Sequence, residues 1–440
     1  MNRVLVLGAG LVSKPGVEYL LKNGLSVTVA SRTVSKAEAL VQGYENGTAK
    51  ALLVENTEEL EKLVQENDII VSLLPWIHHV AVAKMCIKSG KQMATTSYVS
   101  EDMQKLDQEV KNKGLLFLNE IGVDPGIDHM SAMKIIDEVH DNGGKVVHFY
   151  SYCGGLPAPD DNDNPFGYKF SWSPKGVVLA SRNSAKFLEN GEIITIEGKD
   201  LFVNKRPETI EGLGDFEVYP NRDSMPYQKI YGLEEAQTVM RGTYRNIGWC
   251  DTFKKIVDLG LVDETAVPGI EGVTFKKMMA DLIGVSESED VKAKTAEKVG
   301  LPVDDLVINN LEWLGLFSDE KVAECNNRLD ILSEQLLEKL KYAPGERDMI
   351  ILRHKFTVEN ADKSRDLITS TLIDYGIPNG DSSMARTVSL PLGIGIKLMA
   401  EKKIDLTGII IPIKREVYTP VLAELETLGI KMEEKKTPIN

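Results

Sequence analysis

Apolar and polar positions along the first 120 residues alternate in short blocks. Residues 2–7 form an apolar run, and the loop Gly8, Ala9, Gly10, Leu11, Val12, Ser13 follows it directly. Val17, Tyr19, Leu20 and Leu21 then predict a short helix closed by Asn23 and Gly24, and residues 26–30 a second, β-branched strand. Apolar runs at 51–54, 68–74, 92–95 and 115–118 continue the alternation. The economical outcome is an α/β fold with a Rossmann-type doubly wound parallel sheet. From Lys145 the period switches to two (Val147, Phe149, Ser151), which predicts a second sheet with further strands at 192–199 and 217–219. Residues 253–342 carry helical patterns with charged faces; 349–358 and 364–375 alternate again, as a hairpin. An apolar helix at 382–400 and a strand at 408–413 end the pattern.

The domain reading follows. Residues 1–125, with about 385–440 returning, make a dinucleotide-binding domain; 126–255 and about 345–384 make a mixed α/β substrate domain; 256–344 make a helical subdomain. At the first boundary stands E-I-G-V-D-P-G-I-D-H, residues 120–129, a strand end, turn and helix start. A helix beginning there offers free N–H groups to an anion such as a carboxylate. The plainer reading is a βα turn whose Gly and Pro serve geometry alone.

Charge narrows the function. A formal net charge of −15 over 440 residues argues against nucleic acid, whose phosphates need a basic face. It also makes any cluster of arginines informative, because an acidic chain must concentrate positive charge to bind an acidic metabolite. No apolar run approaches the roughly 20 residues that span a bilayer, so no membrane partner is expected. The opening strand leaves no room for a signal or transit peptide, and Cys86, Cys153, Cys250 and Cys325 form no paired framework; a cytoplasmic setting is expected.

The G-x-G-x-x-[small] string sits in the strand, loop, helix, strand order that a dinucleotide needs. Gly8 permits the tight turn, Gly10 lets backbone approach a pyrophosphate, and Ser13 replaces the third glycine. After the second strand come Ser31, Arg32 and Thr33, with no acid for a ribose 2′-hydroxyl but a guanidinium suited to a 2′-phosphate. NADP(H) is therefore expected over NAD(H), the alternative being that Arg32 is plain surface. Leu74, Pro75, Trp76 and Thr96, Ser97, Tyr98 fall at strand carboxyl ends, where such sheets bind ligands. The aromatic run N-P-F-G-Y-K-F-S-W-S-P, residues 164–174, reads equally as a ligand wall and as a structural loop. Arg222, Arg241 and Arg245, near Ser224 and Thr243, form a credible carboxylate clamp, although each alone is more often solvated. No His/Cys/Asp cluster has metal-ligand spacing.

The set G-A-G-L-V, S-L-L-P-W, T-T-S-Y-V-S, E-I-G-V-D-P-G-I-D-H, S-Y-C-G-G-L-P-A-P, N-P-F-G-Y-K-F-S-W-S-P, Y-P-N-R-D-S and R-G-T-Y-R resembles the saccharopine reductase family, the NADP-dependent, glutamate-forming saccharopine dehydrogenases. The resemblance runs over nearly the whole length and is densest up to about residue 250. It implies that residues 9–12, Ser31, Arg32, Thr33, Leu53, Val54, Leu74, Pro75 and Trp76 line the cofactor. It further implies that Ser97, Tyr98, Asp124, Arg222, Thr243 and Arg245 meet saccharopine. Trp76 stands where the family commonly has Tyr, and Tyr244 where it commonly has Leu; both changes can alter fit without abolishing it.

The implied reaction joins the aldehyde of 2-aminoadipate 6-semialdehyde to the amine of glutamate and reduces the imine with NADPH, reversibly. Tyr98, Asp124 and Cys153 are the candidates for proton transfer, with water as a fourth. Asp124 as a helix cap, Cys153 as an inert thiol and Tyr98 as a mere orienter are the competing readings. His129 is expected to pack or hydrogen-bond rather than catalyse. Two other functions remain open on the residues: a relative acting on a different amino aldehyde, as carboxynorspermidine synthases do, and a non-catalytic nucleotide-binding protein. The partners implied are saccharopine, glutamate and the semialdehyde, with a homodimer allowed.

Overall fold

The computed structural model describes residues 2–172 and 174–439. The chain divides into two compact units, one comprising 1–144, 360–363 and 369–436, the other 145–359, 364–368 and 437–440.

The first unit is built on a seven-stranded sheet. Its strands β1 (Arg3–Leu7), β2 (Ser26–Ser31), β3 (Gly47–Ala51), β4 (Ile69–Ser72), β5 (Gln92–Ala94) and β6 (Leu116–Leu118) lie in the order β6-β5-β4-β1-β2-β3. A seventh strand, Gly408–Ile410, adds beside β6. Every neighbouring pair is parallel, so all carboxyl ends lie along one edge. The order reverses between β1 and β4, the switch point at which open α/β sheets bind ligands. Continuous apolar runs suit strands covered on both faces, and the β1 positions Val4, Leu5, Val6 and Leu7 are all buried. β3 departs from the expectation at 51–54. The strand is the polar segment Gly47–Ala51, an edge paired only to β2, while Leu52 turns inward beyond its end and Leu53 is exposed. An edge strand needs no apolar run, which is why the pattern pointed four residues too far along.

The helix Lys14–Lys22 after β1 packs against the helix Ser383–Ala400. Gly16 makes that approach possible: a Cβ there would lie 2.6 Å from the Ser389 carbonyl, and the Gly16 N–H donates to Ser389 Oγ at 2.9 Å.

The second unit holds a mixed sheet formed by β7 (Lys145–Pro157), β8 (Ala185–Glu189), β9 (Glu192–Ile196), β10 (Arg206–Ile210), β11 (Gly214–Pro220), β12 (Thr238–Asn246) and β13 (Asp348–Glu359). Its main path runs β10-β11-β12-β7-β13, with the β8 and β9 hairpin attached to β12. Five helices from Trp249–Asp258 to Arg328–Lys339 occupy the expected helical stretch and belong to this unit. The aromatic run 164–172 is mostly core. Phe166, Tyr168 and Phe170 are buried, Tyr168 and Phe166 lie against Trp249, and Phe166 also reaches Trp313. Only Trp172 of the four is substantially exposed; Ser173 lies outside the described residues.

Candidate functional site

The loops at the carboxyl edge of the seven-stranded sheet hold the expected nucleotide residues. Gly8 adopts φ +111°, and a Cβ there would stand 2.9 Å from the Leu73 carbonyl, so only glycine lets β1 turn beside β4. Ser13 replaces the third glycine with a hydroxyl that accepts from the Gly10 N–H at 3.0 Å and caps the turn, leaving Gly10 open on its outer side. Leu11, Leu53 and Trp76 are 75%, 55% and 73% exposed, apolar groups standing in water at one sheet edge. Arg32 is exposed at the end of β2 and makes no ion pair among the described residues. Ser31, Thr33, Val54, Leu74, Pro75 and Thr96 lie on the same edge, partly or fully exposed. These features fit a dinucleotide: a tight glycine turn, an exposed guanidinium just after β2 and flat apolar surface.

Beyond β5, Tyr98 donates to Asp124 Oδ1 at 2.8 Å. Glu120 braces this pair from behind. Buried at φ +56°, it accepts from the Val99 N–H and bonds His129 Nε2, each at 2.8 Å. His129 is wholly buried, a hydrogen-bonding residue as expected. Ser97 is held by the ring of His79, whose Nε2 lies 2.8 Å from Ser97 Oγ while Nδ1 lies 2.8 Å from Ser72 Oγ. Burial, with nearby His78, pulls the His79 imidazole down to about 4. Neither His79 nor Glu120 stood out in the sequence; the adjacent pair His78, His79 after S-L-L-P-W was the available signal.

The expected anion site at the start of the helix Ile127–Asp141 is not there. The Ile127 and Asp128 N–H groups donate to the carbonyls of Gly122 and Val123, and the Gly126 N–H donates to the Asp128 carboxylate. The helix supplies its own anion, and residues 127–130 are buried. Pro125 and Gly126 serve geometry: a Cβ at Gly126 would stand 2.0 Å from the Gly122 oxygen.

In the second unit the register decides which arginine is available. Thr243 pairs with Cys153 and Arg245 with Glu217, and alternation puts Cys153, Arg241, Thr243 and Arg245 on one sheet face. Arg241 is committed, donating to the Tyr227 hydroxyl at 2.7 Å and lying over its ring. Arg245 is 5% exposed and stacked against Tyr168, Tyr219 and Trp249 at 5.0, 5.6 and 5.3 Å. Its Nη1 donates to the Tyr244 carbonyl at 2.8 Å, and Nε has no partner among the described residues. Glu217 opposite is already held by Lys205 and the Cys250 N–H. A buried cation without a carboxylate is costly unless a ligand completes it. Burial raises the Tyr168 and Tyr219 hydroxyls, so both rings stay neutral beside it. Arg222, exposed at φ +55°, sits in the turn after β11. Glu217, the partner of Arg245, lies three residues before the end of β11, so Arg222 stands past the end of that strand from the Arg245 position. Tyr244 faces the other side of the sheet, buried against Tyr152 and Phe216, so the departure there does not enter the Arg245 face.

The glycine turn at the switch point of a parallel sheet fits a dinucleotide, and what the chain resembles makes it an NADP-dependent oxidoreductase. Residues 4–118 match the saccharopine dehydrogenase NADP binding domain, and residues 122–430 the saccharopine dehydrogenase C-terminal domain. A relative from Schizosaccharomyces pombe, saccharopine dehydrogenase [NADP(+), L-glutamate-forming], is 44% identical over 99% of both chains. The protein of that name from Saccharomyces cerevisiae is 40% identical over 99% of both. The apo structure of the Saccharomyces cerevisiae saccharopine dehydrogenase (L-Glu forming) superposes with a TM-score of 0.91, covering 99% of this chain and 100% of that one at 39% identity. The chain belongs to the saccharopine dehydrogenase family.

Proposed function

We infer that the protein is an NADP(H)-dependent, glutamate-forming saccharopine dehydrogenase of lysine metabolism. It interconverts saccharopine with glutamate and 2-aminoadipate 6-semialdehyde through their imine. Arg245 carries this reading: a buried guanidinium lacking a carboxylate partner among the described residues calls for an acidic ligand, and saccharopine bears three carboxylates. We assign nucleotide binding to Gly8, Ala9, Gly10, Leu11 and Val12, with Arg32 on the 2′-phosphate between Ser31 and Thr33. Leu53, Val54, Leu74, Pro75, Trp76 and Thr96 complete that lining. Ser97, Tyr98, Asp124, Arg222, Thr243 and Arg245 are assigned to the amino acid, and the spacing of Arg222 and Arg245 suits an elongated substrate with separated carboxylates.

The nicotinamide supplies or accepts the hydride. The chain's own part is alignment and proton transfer, since imine formation and hydrolysis both move protons. Tyr98 holds its hydroxyl proton toward Asp124 Oδ1, and these two groups with Cys153 are the assigned proton carriers. The same reading places the protein in the cytoplasm and allows a homodimer.

The test is direct. Purified protein with NADP+ and saccharopine should produce NADPH and glutamate; with NADPH, glutamate and the semialdehyde it should consume NADPH. Turnover only when a diamine replaces glutamate would move the protein to a different amine substrate, and NADPH binding without turnover of any pair would make it a nucleotide-binding protein.

A further inference from the structure

Ser72, at the end of β4, is wholly buried, and among the described residues its hydroxyl has one hydrogen-bond partner, His79 Nδ1. A buried hydroxyl left without an acceptor is costly, so Ser72 donates and Nδ1 accepts. The imidazole, kept neutral by its burial at the start of the helix His79–Ser89, then carries its proton on Nε2. That N–H donates to Ser97 Oγ at 2.8 Å. With its oxygen already accepting from the ring, the Ser97 hydroxyl must send its own proton elsewhere. Ser97 is fixed at two more points: its N–H donates to Thr95 Oγ1, and its carbonyl accepts from the Glu120 N–H. Thr95 Oγ1 in turn donates to the Ser72 carbonyl, which ties both ends of the array to the carboxyl ends of β4 and β5.

We propose that Ser72, His79 and Ser97 form a one-way hydrogen-bond relay that presents the Ser97 hydroxyl as a donor to a carboxylate of the amino-acid substrate. His79 and Ser72 are thus positioning residues and Ser97 the one that touches substrate. The relay rests on the functional reading above, which assigns Ser97 to the amino acid. Were the polarity reversed, Ser97 would spend its proton on the ring and turn only lone pairs toward an anion, which repels it.

The experiment compares His79→Leu, His79→Gln, Ser72→Ala and Ser97→Ala, measuring KM for saccharopine, kcat, and the Kd of NADPH by its fluorescence. Losing one donor to a carboxylate costs on the order of tenfold. His79→Leu should therefore raise KM about tenfold and leave the NADPH Kd unchanged. His79→Gln, whose amide N–H replaces Nε2–H, should restore most of the loss. Ser72→Ala, a small change in a buried site, should raise KM about threefold by freeing the ring to take either tautomer. In a Ser97→Ala background, His79→Leu and Ser72→Ala should add nothing, because the group they orient is gone. Independent effects that multiply in that background, or a NADPH Kd that moves as much as the saccharopine KM, overturn the relay while leaving the activity standing. A wild-type protein that does not turn over saccharopine overturns the activity and the relay together.

Discussion

Arg245→Met separates a ligand-binding arginine from a structural one. The substitution keeps an unbranched chain of similar length among Tyr168, Tyr219 and Trp249 and removes the charge. On the binding side, a hydrogen bond to a charged group is worth about 1.5–3 kcal/mol, so kcat/KM for saccharopine should fall roughly 10- to 150-fold. On the stability side the effects oppose. Three ring contacts at 5.0–5.6 Å are lost, each worth about 0.5–2 kcal/mol. Against that, a 5% exposed cation with one hydrogen bond no longer needs to be desolvated, a cost of several kcal/mol per buried ion. The ligand-free variant should therefore unfold within a few degrees of wild type, and saccharopine should protect wild type from heat but not the variant. Thermal unfolding with and without saccharopine, beside NADP+ reduction kinetics, reads all of this. A fall in Tm of several degrees with an unchanged KM would show that Arg245 holds up the aromatic core and that the carboxylate argument is wrong.

Arg32→Asp should weaken NADPH binding by more than tenfold and NADH hardly at all, because only the former loses a charge-assisted phosphate contact; equal losses in fluorescence titration would remove the 2′-phosphate role. Gly126→Ala should abolish soluble folded protein, since the new Cβ would lie 2.0 Å from the Gly122 oxygen at φ +146°; a soluble variant with wild-type circular dichroism would contradict it. In acid, His79 should destabilise the fold. The unfolded imidazole binds a proton as pH falls through 6.5, whereas the folded one waits until about 4. Stability should then drop between those values by roughly 3 kcal/mol, and nothing should be lost above pH 7. Denaturant unfolding of wild type and His79→Gln across that window measures the slope, and identical slopes would refute the assignment.

What the chain's pattern disclosed and what it hid have one cause. Periodicity reports which face of an element is apolar, so β1, its loop and the following helix were legible, as was the alternation from Lys145 onward. The exposed position of Arg32 after β2 was legible too, because it depends on distance along the sequence from the glycine loop. The failures concern who meets whom. Arg241 and Arg245 lie four apart on one strand face, and nothing local tells that Tyr227, from the helix Met225–Ile230, occupies one while three rings surround the other, which makes no ion pair among the described residues. The helix at Ile127 had the sequence of an anion site, yet Asp128 and the carbonyls of Gly122 and Val123 had filled it. His79 did not stand out, and only the parallel register of β4 and β5 sets Ser72 and Ser97 on either side of its ring. A polar group declares its purpose through what its partners leave unsatisfied. On that measure Arg245, whose Nε has no partner among the described residues, is where an acidic substrate should be sought first.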